Sequence, residues 1–464
     1  MRVAASLLLI AAGALGAPVT SLPGYDGKLP FASDSGYIAV DSSPHTKHMF
    51  YWMVYADGVP AEQAPTVLWM TGGPGNGTLV QNPYSWNKAP ANIVYLEAPV
   101  SRGPLAGKPA ASLAPPRVTG PAQGRHTWFA LRIPCRRRRA SCWLAGQRPV
   151  EWAPSLRATG ACCRPCCSSL QGHYVPQLAN AVVQANVANP AKALPLRGWM
   201  VGNPSWSFDD GSHYFDFMQL HSIIDRADYR AALATCGGSM APPRSAACDA
   251  ALAVLRNQTI GINPYDVIGK CNGKPSLTGG CFTQQAVADA ESSRRSRPES
   301  SWAEASGPRG LAQTFVPCID VTPAVDYFDR SDVRAALHVD ANAFAWDVCS
   351  QHVEYRYYAH TVAPIYADLV PSHRVLVYSG DVDSCVPFPG TQDNVDALGY
   401  PLVDGWKPWT VGGQIAGFQR SYAVGAKGSL AWASVRGASH MVPNTKPAEA
   451  LAMFERFLAT GMPA

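Results

Sequence analysis

The stretch "HRVLVYSGDVDSCVP", residues 373–387, decides the fold. Its short continuous apolar run stops at Ser379-Gly380, and Asp381 and Asp383 follow at once. An apolar run of that length, closed by a turn signal, reads as a strand buried on both faces. A carboxylate just past such a strand either caps its own loop or orients a histidine. A candidate histidine stands in "VRGASHMVPNTKP", residues 435–447, where His440 lies in a Gly-flanked loop ahead of a last helix.

A third stretch, "CSSLQGHYVP" (167–176), places a serine immediately before a helix, where serine ordinarily caps the first turn. Each stretch alone has a structural reading. Together they run serine, aspartate, histidine along the chain, which is the order of α/β-hydrolases.

The surrounding pattern fits such an architecture. "GYIAV", "KHMFYWMVYA" and "PTVLWM" between residues 36 and 70 alternate as hairpin strands leading to a buried strand. "NIVYLEAP" (92–99) and "LRGWMVGNP" (196–204) read as further strands. Residues 173–187 are apolar at helical spacing, and "PAEALAMFERFLATG" (447–461) opens on Pro and closes on Gly, as a terminal helix should. Strands alternating with helices predict a mostly parallel central sheet flanked by helices.

The chain has 464 residues, of which 47% are hydrophobic and 15% charged, enough for a large core. "MRVAASLLLIAAGALGAP" combines Arg2, an apolar stretch from Ala4 to Leu15 and the small residues Ala14, Gly16 and Ala17, the pattern of a secretory signal peptide over 1–17. The secretory pathway would let the 13 cysteines pair. Asn76-Gly77-Thr78 and Asn257-Gln258-Thr259 are candidate glycosylation sequons. No apolar run of membrane-spanning length follows the N-terminus, so no membrane span is expected.

The net charge of +5 hides an asymmetry. Residues 101–171 hold eleven Arg and one Lys against Glu151 alone, leaving that segment at +11 and the remainder at −6. The "RRRR" run at 136–139 has no interleaved aromatics and no nucleic-acid motif beside it, so no nucleic-acid partner is expected. The same segment has nine prolines, six cysteines and little periodicity, and Pro165 falls where a central strand needs its backbone donor.

The motifs as a set resemble the serine carboxypeptidase family. They are "LPGYDGKLPFASDSGYIAV", "PTVLWMTGGPG", "NPYSWNKAPANIVYLEAP", "GHYVPQLA", "GWMVGNP", "INPYD", "SDVRAALHV", "VLVYSGDVDSCVP" and "GASHMVPNTKP". The resemblance covers about residues 20–100 and 172–464. It implies an α/β-hydrolase fold with a helical cap insertion, here 207–315, between core parts 18–206 and 316–464. Within the cap, 291–310 reads as a flexible, protease-accessible loop. The implied substrates are peptide or protein C-termini, in a lysosome or vacuole or outside the cell. Neither a cofactor nor a metal is implied.

The resemblance also implies the site. Anchored on Gly172, the family's Gly-Glu-Ser-Tyr-Ala-Gly motif puts the nucleophile at Ser169. The catalytic aspartate and histidine fall on Asp383 and His440. The oxyanion donors are the backbone N–H groups of Gly73 and Leu170, and the substrate carboxylate falls to Trp69, Thr71 and Gly72. Disulfide candidates are Cys236 with Cys248, with Cys271, Cys281 and Cys318 as alternatives.

The chain departs from the family pattern between 76 and 171. Cys167, Ser168, Leu170 and Gln171 replace the usual neighbours of the nucleophile, and Thr71 replaces an Asn. Asn76 stands at a family cysteine, so the position of its usual partner, Cys349, lacks a mate. Three alternatives therefore stay open. One is an inactive relative that keeps the fold for binding. Another is an acyltransferase with a changed carboxylate site. The last is a reading in which this segment stems from a skipped exon and an out-of-frame stretch.

Overall fold

The computed structural model describes residues 16–39, 48–70, 82–96, 127–128, 171–206, 213–241, 244–275, 316–341, 343–346 and 361–461. The chain first forms strands β1 (Ala17–Pro18), β2 (Ser33–Ala39), β3 (His48–Val54), β4 (Thr66–Trp69), β5 (Asn92–Leu96) and β6 (Thr127–Trp128). Helix α1 (Gln171–Ala188) and strand β7 (Gly198–Gly202) follow. Next come helices α2 (Tyr214–Leu220), α3 (Arg226–Thr235), α4 (Ala246–Gln258), α5 (Thr322–Asp329), α6 (Ser331–Ala336) and α7 (Ala363–Leu369). The last part holds β8 (Arg374–Gly380), α8 (Phe388–Asp396), β9 (Leu402–Val411), β10 (Gln414–Tyr422), β11 (Ser429–Val435), α9 (Val442–Thr445) and α10 (Pro447–Thr460).

The strands form two mixed sheets, in the orders β1-β2-β3-β5-β4-β6 and β7-β8-β11-β10-β9. Parallel pairing joins β5 to β4, β4 to β6, β7 to β8 and β8 to β11. The outer ladders, β1 to β2 to β3 to β5 and β11 to β10 to β9, are antiparallel. The sequence distinguishes the two kinds. β3 alternates, with Met49, Tyr51 and Met53 turned inward. β8 and β11 are buried at almost every position, as strands covered on both faces must be.

Helix α1 spans the two sheets. Its Leu178 and Val182 pack with Met49, Met53 and Val94. Its Ala179 packs with Trp199, Val201 and Val377 on the other sheet. Helix α10 closes the opposite face, burying Met453, Phe454 and Phe457 against β8 and β11 residues. Burying one large apolar side chain contributes roughly 1.5–3 kcal/mol, so these faces hold the layers together.

Residues 213–275 gather three helices around a core of their own, centred on Phe217, Met218, Leu252 and Leu255. Their ends are capped as the sequence dictates. Asp225 accepts from the Ala227 and Asp228 amides, and Ser245 accepts from that of Cys248. A disulfide joins Cys236 to Cys248 inside this group. Another joins Cys271 to Cys318, and Cys385 is disulfide-bonded as well. Cys281 and Cys349 lie outside the described residues, as do residues 1–15 of the signal-peptide pattern 1–17, the segment 129–170 and the loop 291–310. Among the described residues, no helix is long and apolar enough to cross a membrane.

Candidate active site

Three neighbouring parallel strands, β7, β8 and β11, end side by side, and each delivers one polar residue from its C-terminal end. Asn203 follows β7, Asp383 lies three residues past β8, and His440 lies five past β11. Ligands and reactive groups collect at this end of parallel sheets because the strands stop there and the loops begin.

Asp383 is fully buried and His440 is 8% exposed. His440 Nδ1 donates to Asp383 Oδ2 at 2.8 Å. The same oxygen accepts from Asn203 Nδ2 at 2.7 Å and from the Val386 amide at 3.3 Å. The Cys385 amide donates to Oδ1 at 2.8 Å. A buried carboxylate is tolerated only when it is paired and hydrogen-bonded in this way. With Nδ1 committed as donor, the neutral imidazole carries its lone pair on Nε2.

Asn203 is itself held rigidly. It takes a left-handed backbone conformation, φ 46°, which Asn adopts more readily than most residues. Its amide donates to the Tyr378 carbonyl at 2.8 Å, and its Oδ1 accepts from the Gly380 amide at 3.2 Å. In sequence, "GWMVGNP" reads only as a strand ending in a turn, which leaves Asn203 unmarked. Its signal was an Asn at the tip of a buried strand.

The loop that carries His440 packs on β8. A Cβ at Gly380 would lie 2.2 Å from the Ser439 carbonyl oxygen and 2.3 Å from that of Ala438, so no larger residue fits there. Asp381 Oδ1 accepts from the Gly437 amide at 2.6 Å. Burial holds the Asp381 carboxyl above the usual carboxylate range. Thr445 staples the far side of the loop, its Oγ1 accepting from the Ser439 amide at 2.9 Å.

The turn in "INPYDV" clamps the aspartate and histidine loops together. The Pro264 carbonyl accepts from both the amide and the hydroxyl of Ser384, at 3.0 and 2.8 Å. The Tyr265 carbonyl accepts from the His440 amide at 2.8 Å, and the Val267 amide donates to the Val382 carbonyl at 3.0 Å. The Tyr265 and His440 rings lie 5.5 Å apart.

The structure thus brings Asp383 and His440 into contact. Helix α1 begins at Gln171, and its Gly172 packs against the backbone of Ser205, two residues past Asn203. Ser169 and Leu170, which precede it, lie outside the described residues, together with Thr71, Gly72, Gly73 and Asn76. Trp69 ends β4, half-buried, edge-on to Trp86 at 4.5 Å. Asn257 is exposed on the last turn of α4, while the Thr259 hydroxyl of its sequon is buried and donates to the Arg256 carbonyl at 2.8 Å. Among the described residues, no group of three or more His, Cys, Asp or Glu could hold a metal.

Known proteins share this chain's sequence pattern and fold. A family model described as "Serine carboxypeptidase" matches residues 23–103 and 167–460. "Serine carboxypeptidase 1" of Hordeum vulgare is 28% identical over 501 residues, covering 96% of this chain and 93% of its own length. "Serine carboxypeptidase-like 20" of Arabidopsis thaliana is 27% identical over 488 residues, covering 95% and 92%. The crystal structure of Kex1(Δ)p, a prohormone-processing carboxypeptidase from Saccharomyces cerevisiae, superposes with a TM-score of 0.59 at 15% identity, covering 97% of this chain and 96% of that one. That likeness shows an α/β-hydrolase fold.

Proposed function

Because the chain belongs to the serine carboxypeptidase family, we propose that it hydrolyses C-terminal peptide bonds through a Ser169–His440–Asp383 triad. The observation that carries this reading is the buried hydrogen bond from His440 Nδ1 to Asp383 Oδ2. It makes Nε2 the nitrogen with the lone pair, the one that takes the proton of a serine hydroxyl.

The mechanism follows from that geometry. Ser169 Oγ attacks the carbonyl carbon of the last peptide bond while His440 Nε2 accepts its proton. Asp383 holds the imidazole in the right tautomer and stabilises the imidazolium that forms. The backbone N–H groups of Gly73 and Leu170 receive the oxyanion, a contribution typically worth roughly 10²- to 10³-fold in rate per donor. His440 then protonates the leaving amine and the terminal residue departs. Water resolves the acyl-enzyme with His440 again as base. Trp69, Thr71 and Gly72 take the substrate carboxylate. The chain works in the secretory pathway, in a lysosome or vacuole or outside the cell, with its optimum at acidic pH.

Fluorophosphonate labelling of the secreted protein, paired with an assay for release of C-terminal residues, tests this. The expected result is a label on Ser169, absent from Ser169→Ala, together with peptide cleavage. Labelling without cleavage would favour acyl transfer, for which the changes at Thr71 and Ser168 leave room. No labelling would mark an inactive relative.

A further inference from the structure

The turn that clamps the site carries a second acidic residue, Asp266. Pro264 pairs with Ser384 and Val267 with Val382, so the two segments run antiparallel and Asp266 stands opposite Asp383. The position is enclosed: among the described residues, Asp266 Oδ1 is buried with no hydrogen-bond partner. The Ile268 and Gly269 amides hydrogen-bond to its carboxyl from the same turn. A Cβ at Gly269 would lie 2.5 Å from that carboxyl carbon, so the turn is closed tightly over it.

We propose that Asp266 is a positioning residue of the site, a carboxyl that acts through Asp383 to set how firmly His440 holds its proton. The proposal rests on the reading of Asp383 and His440 as the working pair. When Asp266 is ionised, a second negative charge lies near the Asp383 carboxylate, and it favours the imidazolium that the carboxylate holds. When Asp266 is neutral that charge is gone, and His440 gives up its proton at lower pH. Ionised Asp266 therefore raises the pH at which His440 becomes available as a base.

The surroundings support this. Burial, and then the charge of Asp383, hold the Asp266 carboxyl above the usual carboxylate range. Of the other titratable groups on the adjoining elements, Tyr265 and Lys270 lie on the same turn. Asp381 is engaged by the Gly437 amide and feels His221 and Arg436. Asp383 is the charged group that acts on Asp266 directly.

The test is an NMR titration of the full secreted chain labelled on its histidines, with the His440 signal identified by its loss in His440→Gln. In Asp266→Asn and Asp266→Ser the His440 midpoint is expected to fall by about half a pH unit or more, the size of an interaction between neighbouring charges at a partly solvated site. Asp266→Glu, which keeps the charge, should restore most of the difference. The wild-type curve should itself carry a second, smaller inflection where Asp266 ionises. A single inflection in the wild type, or a midpoint unmoved in both neutral variants, would overturn the proposal. So would a Glu variant that shifts as far as Asn. The readout needs no turnover, so failure of Ser169 to label would remove the carboxypeptidase reading without touching this one.

Discussion

Asn203 Nδ2 donates to Asp383 Oδ2 at 2.7 Å, onto the same oxygen that takes His440 Nδ1 at 2.8 Å. The amide therefore fixes the very carboxylate oxygen that the imidazole engages. Through its Oδ1 it also holds the Gly380 amide, and so the end of the strand from which Asp383 departs.

Replacing Asn203 by Ala would leave Asp383 short of one donor and strand the Gly380 amide. A buried group left unsatisfied costs about 1–3 kcal/mol, and alanine is strained at positive φ. Asn203→Ala should therefore lower both the melting temperature and kcat. Asn203→Asp keeps the shape but places a second carboxyl against the first, so its loss of kcat should deepen as pH rises. Parallel melting curves and pH–rate profiles of the two variants check this. Equal pH dependence in both would count against it.

Gly380 lies where β8 meets the loop of His440. An alanine methyl would collide with the carbonyls of Ala438 and Ser439, which are backbone atoms fixed by their neighbours. Overpacking of this kind typically costs about 1–3 kcal/mol. Gly380→Ala should destabilise the fold and displace His440, cutting fluorophosphonate labelling more than its loss of stability explains. Full labelling of the folded variant would show that the loop adapts.

Much of this arrangement was legible in the sequence. β8 announced itself by its unbroken apolar run, β3 by alternation, and α10 by its opening Pro and closing Gly. Asp383 was readable because it sits one short turn past a buried strand, and His440 because it lies in a Gly-flanked loop ahead of the last helix. Strands β9 to β11 were not singled out. Their signal was the Gly412-Gly413 pair, both at positive φ, between "WKPWTV" and "QIAGFQRSY", the mark of a two-residue hairpin. Pro408 inside β9 obscured it, since proline is confined to edge strands, and β9 is the edge. The stretch "INPYD" stood out as a motif, but its clamping role could not be read. It acts through backbone carbonyls of Pro264 and Tyr265, and carbonyls are common to every sequence.

The two disulfides should separate in their effects. Cys236–Cys248 closes a separation of 12 residues within the helical group, whereas Cys271–Cys318 closes 47 and anchors the segment leaving the clamping turn. Removing either should cost roughly 2–4 kcal/mol. Only the Cys271→Ala/Cys318→Ala pair should also lower kcat at temperatures where the protein remains folded, because it frees the segment that holds Ser384 and His440. Equal kcat in both double variants would show that the turn's own hydrogen bonds suffice.

The pH dependence of stability follows from Asp381. Its folded-state pKa lies above the ordinary carboxylate value of about 3.9, because burial disfavours the charged form. A group raised in this way favours folding most when protonated in both states. Its contribution is complete below the unfolded value and is lost as pH rises through the folded one. Asp381→Asn keeps an oxygen to accept the Gly437 amide but cannot ionise. Its melting temperature, measured against wild type from pH 4 to pH 7.5, should match at the acidic end and exceed it increasingly toward neutrality. The difference between the two curves isolates Asp381 from every other carboxylate, since those titrate alike in both proteins. A difference that stays flat across the range would mean that the Gly437 hydrogen bond offsets the burial.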